Sequence, residues 1–170
     1  ALTHLEIAAK LNGSASHITA NQGAAYVLQG EFDQAYGKLS DASTNDNKVN
    51  SRVNSMKGAI EIMNGQYDKA KGSLAAAEND GKTNINKGLL YLLSKDYTQA
   101  NNGFDAAKKD EVVGAKAYYM SAITAARQGS ASGVLNNLTE AVKRNPDYKQ
   151  AALNDMEFRK YADQVAQAVK

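Results

Sequence analysis

The chain has 170 residues, of which 43% are hydrophobic, with one proline and no cysteine. This length suffices for a substantial core, and the lack of cysteine excludes disulfides and thiol chemistry. The 20 basic and 18 acidic residues leave a net charge of +2, which is too small to indicate a nucleic-acid partner. No apolar run is long enough for a transmembrane helix, so we expect no direct membrane insertion. The composition favours a helical protein.

The segment 21–42 recurs along the chain. Six of its residues return after 35 positions: Gly23, Gly30, Phe32, Ala35, Leu39 and Ala42 become Gly58, Gly65, Tyr67, Ala70, Leu74 and Ala77. A third copy follows 30 positions later, at Gly88, Tyr97, Ala100, Phe104 and Ala107. A weaker fourth copy has Leu138, Ala141 and a turn residue, Gly129. A period of roughly 30–35 residues indicates a stacked repeat.

Each repeat is predicted to be a pair of helices. In the first copy, one helix ends near Leu28, and Gly30 breaks it because glycine reaches left-handed backbone angles at little cost. A second helix is predicted from about Asp33, a plausible N-cap, to Ala42. Its small and apolar residues Ala35 and Leu39 share one face with Ala42. Such a pair cannot bury both of its faces alone, so it must stack on the next pair.

The pattern resembles the tetratricopeptide repeat. The resemblance rests on G-x-x-Y-x-x-x-G-x-F-x-x-A-x-x-x-L-x-x-A, read from Gly23 through Tyr26 to Ala42, and covers roughly residues 16–146. The fourth pair departs from the pattern, since Ala131 replaces the aromatic residue and Val134 the small one. The resemblance implies an all-α fold, a right-handed α–α superhelix (solenoid) of helix pairs with a C-terminal capping helix.

One solenoid domain over residues 1–170 is therefore expected. Its parts are a partial first unit at 1–12, helix pairs at 16–45, 51–79, 82–109 and 114–145, and a capping tail at 148–170. Residues 1–12 are predicted to be the second helix of a truncated repeat, or alternatively a plain capping helix. The polar segment 41–50 is predicted to be an exposed loop or a frayed helix end. In the tail, Leu153, Met156 and Phe158 are expected to cover the open end of the stack.

The origin of the chain is a further expectation. It begins at Ala1, without Met and in the middle of a unit, so we expect a domain excised from a longer protein. The Asn-, Gly- and Ala-rich composition and the segment 152–163 resemble envelope-associated tetratricopeptide proteins of Gram-negative bacteria. We therefore expect a periplasmic or outer-membrane-associated parent protein, with the cytoplasm as the alternative.

The sequence offers no catalytic or metal-binding pattern. Its two histidines, His4 and His17, fall on helices of different units, without the i, i+4 spacing that a zinc site favours. The glycines form neither of the phosphate-binding motifs G-x-x-x-x-G-K-[ST] and G-x-G-x-x-G, and they occupy positions of the repeat instead. We therefore expect no enzyme activity, no metal and no cofactor.

The resemblance implies that positions 2, 5, 9 and 12 of each first helix line a concave groove. The residues singled out for partner binding are His17, Arg52, Ser55, Lys82, Ile85, Leu89, Leu92, Lys116, Tyr119 and Ile123. Position 2 is basic or histidine in all four pairs, which predicts an acidic partner or, alternatively, a merely solvated basic edge. The apolar positions suit an apolar helix or extended segment of a partner. The chain's own tail is an alternative occupant.

The sequence therefore predicts a non-catalytic protein–protein interaction module. It is expected to bind a protein or peptide segment that is acidic and carries apolar anchors. The alternative is a structural or self-association domain of a larger bacterial cell-envelope protein, forming a homodimer through the C-terminal tail. Glycan binding is disfavoured because the chain has no tryptophan to provide a sugar-stacking platform.

Overall fold

The protein is described from a computed structural model that covers residues 3–5, 7–8, 16–42 and 44–169. All regular secondary structure in these residues is helical. The helices are α1 (Ser16–Gln29), α2 (Phe32–Asp41), α3 (Asn47–Met63), α4 (Tyr67–Ala75), α5 (Gly81–Leu93), α6 (Tyr97–Ala107), α7 (Gly114–Arg127), α8 (Ala131–Arg144), α9 (Asp147–Asn154), a 3₁₀ helix (Met156–Tyr161) and α10 (Ala162–Ala168). The sequence-based prediction of an all-α fold of helix pairs is confirmed.

The chain forms two compact units, Ala1–Glu78 and Asn79–Lys170. In the first unit, α1 packs on α2, α3 packs on α4, and the two pairs meet through α2 with α3 and α1 with α3. Residues 3–5 and 7–8 are helical, whereas the rest of the predicted partial unit at 1–12 lies outside the described residues. The truncated-repeat interpretation of this segment therefore stays a prediction.

Small residues let the helices of the first unit approach closely. Ala35, Leu39 and Ala42 of the first pair are at most 1% exposed, as their shared face predicts. A Cβ added at Gly23 would lie 2.7 Å from Cγ of Leu39, and one added at Gly58 would lie 2.6 Å from Cγ of Leu74. The glycine of each first helix is therefore needed because the leucine of the second helix occupies the space of its side chain.

The second unit contains two helix pairs and the C-terminal tail. The pairs α5–α6 and α7–α8 pack on each other through α6 with α7, and α8 contacts both α9 and α10. Phe104 and Leu138 of the second helices are fully buried, as is Val134, which stands where the other repeats have alanine. Phe158 and Val165 of the tail join the same core. The tail is thus an integral layer of this unit.

The four pairs share one turn geometry. One residue of the turn after each first helix has a positive φ: Gly30 (77°), Gly65 (70°), Lys95 (62°) and Gly129 (77°). In each turn two backbone N–H groups bond back to carbonyls of the helix that has just ended, as Gly30 does to Val27 and Glu31 to Tyr26. These are the paired bonds of a Schellman cap. The turns predicted at glycines are present, and the third turn places a lysine in the left-handed region.

Two details correct the sequence-based boundaries. Asp33 is not the N-cap of α2, because the helix already begins at Phe32 and its first carbonyl acceptor is Glu31, which receives the N–H of Ala35. Segment 41–50 is not loop throughout, because Asp46 caps α3 by accepting from the N–H groups of Lys48 and Val49. The helix therefore starts at Asn47, one turn earlier than its apolar pattern indicated.

The tail also differs from expectation in one respect. Phe158 is buried, but Leu153 and Met156 are 43% and 71% exposed, so they do not cover the core. The 3₁₀ conformation of residues 156–161 explains this for Met156. Asp155 accepts a bond from the N–H of Glu157, and this cap turns Phe158 inward and leaves Met156 in solvent.

Candidate functional site

The residues predicted at position 2 of the four first helices, His17, Arg52, Lys82 and Lys116, are all exposed, and we call them the basic rim. His17 and Lys82 are the second residues of α1 and α5, and Lys116 is the third of α7. Arg52 lies in the second turn of α3, because that helix begins earlier than expected, and its Nη2 donates a 2.7 Å hydrogen bond to Oδ1 of Asn21.

Asp110 lies close to the rim in the second unit. Hydrogen bonds from the backbone N–H groups of Val113 and Val112 lower the pKa of Asp110, and the charge of Lys82 adds a smaller effect in the same direction. The ammonium group of Lys82 therefore already has one negative charge near it. The charge that this rim offers to a partner is correspondingly smaller than the sequence suggests.

The predicted apolar positions divide into buried and accessible residues. Ile85 and Leu92 belong to the core of the second unit, and Leu92 is only 1% exposed. Ser55 is buried in the first unit. Leu89 is half-buried, and the residue that continues its row by one helical turn is Leu93, which is 38% exposed. A partner on α5 would therefore meet Leu89 and Leu93, whereas contact with Leu92 would require opening the core.

Tyr119 and Ile123 of α7 are buried, and Tyr119 is in direct contact with the tail. The hydroxyl of Tyr119 donates a 2.7 Å hydrogen bond to Oδ2 of Asp155. Its ring lies 4.9 Å from that of Tyr148 in a tilted arrangement and 5.6 Å from that of Phe158, edge to face. Burial, together with the bond to Asp155, raises the pKa of Tyr119, because both effects favour the neutral phenol.

Arg127, one turn beyond Ile123, completes the contact with the tail. Its Nε lies 3.2 Å from both carboxylate oxygens of Glu157, and its Nη2 lies 2.6 Å from Oε1. This two-pronged geometry is the strong form of an arginine–carboxylate pair. The bond to Glu157 raises the pKa of Arg127, and both side chains are about one-third exposed. Tyr119 and Arg127, two turns apart on α7, thus make polar contacts with Asp155 and Glu157 of their own chain.

The equivalent rows of the other three first helices follow from the repeat offsets. They are Ala20, Ala24 and Leu28 on α1, Ser55, Ala59 and Met63 on α3, and Ile85, Leu89 and Leu93 on α5. We call these four sets the first-helix rows. The last residue of each row in α1, α3 and α5 is a large exposed apolar side chain. The sequence-based prediction did not include Leu28, Met63 and Leu93, because they do not fall at positions 2, 5, 9 or 12. Their mutual offsets of 35 and 30 are nevertheless visible in the sequence.

The remaining features of the described residues concern metal binding and membrane insertion. His4 and His17 are both exposed. Across the part of the chain that the structure describes, no three His, Cys, Asp or Glu side chains are grouped so as to hold a metal ion. Within the same residues, no helix has both the length and the apolar character needed to cross a membrane.

Comparison with known proteins identifies the fold. No family model matches the sequence, and no curated protein is significantly similar to it. Among solved structures, the chain is similar to YrrB, described as a TPR protein with an unusual peptide-binding site, with a TM-score of 0.69 and 14% identity over 99% of this chain and 92% of that one. It is also similar to MamA (MSR-1, C2), with a TM-score of 0.64 and 13% identity over 92% and 93% of the two chains. The chain therefore has a tetratricopeptide-type α-solenoid fold.

Proposed function

We propose that this protein is a non-catalytic protein–protein interaction module that holds a segment of a partner on its first-helix rows. The observation that carries the proposal is the row on α7, where Tyr119 and Arg127 hold residues 155 and 157 of the chain's own tail. A row of this kind can therefore bind a short segment through hydrogen bonds, an ion pair and ring contacts. The described peptide-binding site of the structural neighbour YrrB supports the same kind of ligand.

The partner is proposed to be an acidic protein or peptide segment with apolar anchors. Leu89 is the half-buried apolar side chain of the α5 row. Lys82 and Lys116 supply positive charge in the first turns of α5 and α7, Arg52 supplies it from the second turn of α3, and His17 is the exposed second residue of α1. Ser55, Ile85, Leu92, Tyr119 and Ile123, also predicted as partner-binding residues, are buried and would support this surface from beneath. In this proposal the anchors supply most of the affinity, and the charges steer the encounter and set its salt dependence.

A selection from a displayed random peptide library tests the proposal. Enriched peptides should bind the native chain and lose at least tenfold in affinity for Leu89→Asp, which places a charge in the α5 row. The matched control is Ala106→Asp, which puts the same charge on an exposed position of a second helix. Helical circular dichroism of both variants checks that they fold. Peptides that bind all three chains equally, or a library without enrichment, would contradict the proposal.

The basic rim has a test of its own. Neutralising Arg52, Lys82 and Lys116 together to Gln should reduce the slope of log Kd against log salt for the enriched peptides. The control is the same change at Lys69, Lys71 and Lys109, which are exposed but lie outside the first helices. An unaltered slope in the first variant would mean that these charges are only a solvated edge.

A second candidate function is self-association through the tail. The observation that favours it is the extensive burial of Phe158, Tyr161, Val165 and Val169 against the second unit, since a tail of this kind can dock on another copy instead. A dilution series of molar mass by light scattering distinguishes the two functions. A concentration-independent monomer rejects self-association, whereas a dimer that dissociates in Phe158→Ala favours it.

A further inference from the structure

The tail contacts α7 through three side chains that lie within four residues of one another. Tyr119 donates a hydrogen bond to Asp155, and its ring meets that of Phe158 edge to face. Arg127 pairs with both carboxylate oxygens of Glu157. The contact is therefore made by the side chains of one short linear segment, in the way that arginine and hydroxyl groups recognise an acidic peptide.

The two α7 residues that hold this segment have no chemical counterparts in the other first helices. None of the residues at the equivalent positions of α1, α3 and α5 is aromatic or charged: Ala20, Ser55 and Ile85 for Tyr119, and Leu28, Met63 and Leu93 for Arg127. Ala20, Ser55 and Ile85 are also buried. Among the four first helices, α7 alone thus combines a phenol hydroxyl with a guanidinium two turns away.

The docked segment carries costs of its own. It begins a 3₁₀ helix of six residues, whereas 3₁₀ runs longer than about three or four residues are uncommon because their hydrogen bonds have poorer geometry. The hydroxyl of Tyr161 is buried without a hydrogen-bond partner among the described residues, which is unfavourable. A segment from another protein could make the same contacts with Tyr119 and Arg127 without these two costs.

The elements on either side of the segment are anchored elsewhere. Both α9 and α10 pack on α8, whereas the 3₁₀ helix between them packs on α7. The two anchors can keep their places while residues 155–161 leave α7 as a loop. Tyr148 belongs to α9 and lies 4.9 Å from the ring of Tyr119, so this aromatic pair would remain for an incoming ligand. The segment is therefore fixed at both ends and bound to α7 in its middle.

We propose that residues 155–158 form a strap that covers the binding surface of α7 until a partner displaces it. The partner is an acidic segment of another protein with the pattern of the strap, namely an aspartate, a glutamate two residues later and then an aromatic residue. This regulation rests on the proposed function, since it acts on the first-helix row of α7. The tethered strap competes at a high effective concentration, so the affinity for the partner is reduced in proportion to the fraction of chains in which the strap is open.

The first experiment opens the strap and supplies its sequence as a separate peptide. Glu157→Arg in the full chain places a like charge against Arg127 and leaves the α7 residues intact. By fluorescence anisotropy, a labelled peptide of residues 152–163 should bind this variant at least about tenfold more tightly than the native chain. The matched control is Glu111→Arg, the same change at an exposed position outside the tail, which should bind like the native chain. Helical circular dichroism checks that both variants fold.

An exchange of charges then locates the peptide on α7. In a chain with Arg127→Glu, the native peptide should become the weaker ligand, and a peptide carrying Glu157→Arg should become the tighter one. In the chain with Glu157→Arg, the order of the two peptides should be the opposite. Such a reversal requires that position 127 of the chain meets position 157 of the peptide, whereas a general loosening of the tail would affect both peptides alike.

A spin label follows the strap itself. The chain has no cysteine and Met156 is 71% exposed, so Met156→Cys attaches one label to the strap. Its EPR spectrum should narrow at about 1 mM native peptide, because the label gains rotational freedom when the strap leaves α7. The control is a label on Val112→Cys, which is 80% exposed and lies outside the tail, and its spectrum should stay unchanged.

Three results would overturn the strap. The first is equal binding of the native peptide to the native and Glu157→Arg chains, or binding to neither. The second is an order of the two peptides that Arg127→Glu does not reverse. The third is a doubled molar mass by light scattering when the strap is opened, because a second copy would then be the occupant. If library peptides bind through Leu89 while the label at position 156 does not respond, the interaction module stands and only the strap fails.

Discussion

The hydroxyl of Tyr36 on α2 donates a 2.7 Å hydrogen bond to Oε1 of Glu61 on α3, and Glu61 is only 2% exposed. Its other oxygen, Oε2, is buried and has no hydrogen-bond partner among the described residues. Glu61 stands where the neighbouring repeats have Tyr26 and Tyr91, 35 residues before and 30 residues after it. The second repeat therefore has a buried carboxylate, with one hydrogen-bond donor, at the position where these two neighbouring repeats have a tyrosine. The bond to Glu61, followed by burial, raises the pKa of Tyr36.

We predict that Tyr36→Phe destabilises the protein by about 1.5–3 kcal/mol, the range for a hydrogen bond to a charged group. The phenylalanine keeps the ring, over which Nζ of Lys57 lies 5.1 Å from the centroid, so the change isolates the hydroxyl. Chemical denaturation followed by circular dichroism measures the loss. In a Glu61→Met background the same change should cost much less, since no carboxylate then needs the donor. Equal costs in both backgrounds would show that the bond contributes nothing specific.

The left-handed lysine in the third turn predicts a stabilising substitution. Lys95 has a φ of 62°, where side chains of L-residues crowd the backbone, so Lys95→Gly should raise the free energy of unfolding by about 1 kcal/mol. The reverse change at an equivalent turn, Gly65→Ala, should lower it by a similar amount. A Cβ at Gly65 would meet no atom within 4 Å, so the effect would come from the backbone alone. If both variants had the stability of the native chain, the turns would not be strained.

Gly58 of a first helix and Gly72 of a second helix should respond oppositely to alanine. Gly58→Ala forces a Cβ to within 2.6 Å of Cγ of Leu74, so we predict a loss of about 1–3 kcal/mol from overpacking. Gly72 lies on the exposed side of α4 with no atom within 4 Å of the added carbon, so Gly72→Ala should gain about 0.5–1 kcal/mol from helix propensity. Thermal unfolding of the two variants measures the contrast. A destabilised Gly72→Ala or a neutral Gly58→Ala would contradict this account.

The contact between Tyr119 and the tail predicts a dependence on alkaline pH. The folded-state pKa of Tyr119 is raised, so its contribution to stability is fully present below about pH 10 and is lost as the pH rises beyond the ordinary tyrosine pKa. The free energy of unfolding should therefore fall above about pH 10, and less steeply in Tyr119→Phe. Part of the fall should persist, because the pKa values of Tyr36 and Tyr148 are also raised. The control is Tyr67→Phe at an exposed position, and a slope as shallow as that of Tyr119→Phe in this control would refute the assignment.

The sequence was sufficient for the helix pairs because their packing is repeated and local. Gly23 predicts a close approach of Leu39, and the same pair returns as Gly58 with Leu74, so each copy of the pattern supports the others. Ala35, Leu39 and Ala42 were assigned to one buried face by helical spacing alone, and the structure buries all three. The third turn shows the limit of this reasoning. The segment 94–96 has no glycine, yet Lys95 adopts the left-handed conformation because the helices on either side require it.

The sequence was a poorer guide to which residues of the site are accessible. Counting positions along a helix identifies its apolar residues, but it does not tell which of them a neighbouring helix buries. Leu92 and Leu93 are adjacent and equally apolar, and only packing within the second unit buries the first and leaves the second exposed. Likewise, the sequence contains Tyr119, Arg127, Asp155 and Glu157 without indicating that they meet. Their contacts join residues 30–36 positions apart, so they depend on where the tail runs over α7. The repeated side-chain sizes thus determined the fold, because the same close contacts recur along the chain, whereas the tertiary course of the tail decided which side chains of α7 are covered.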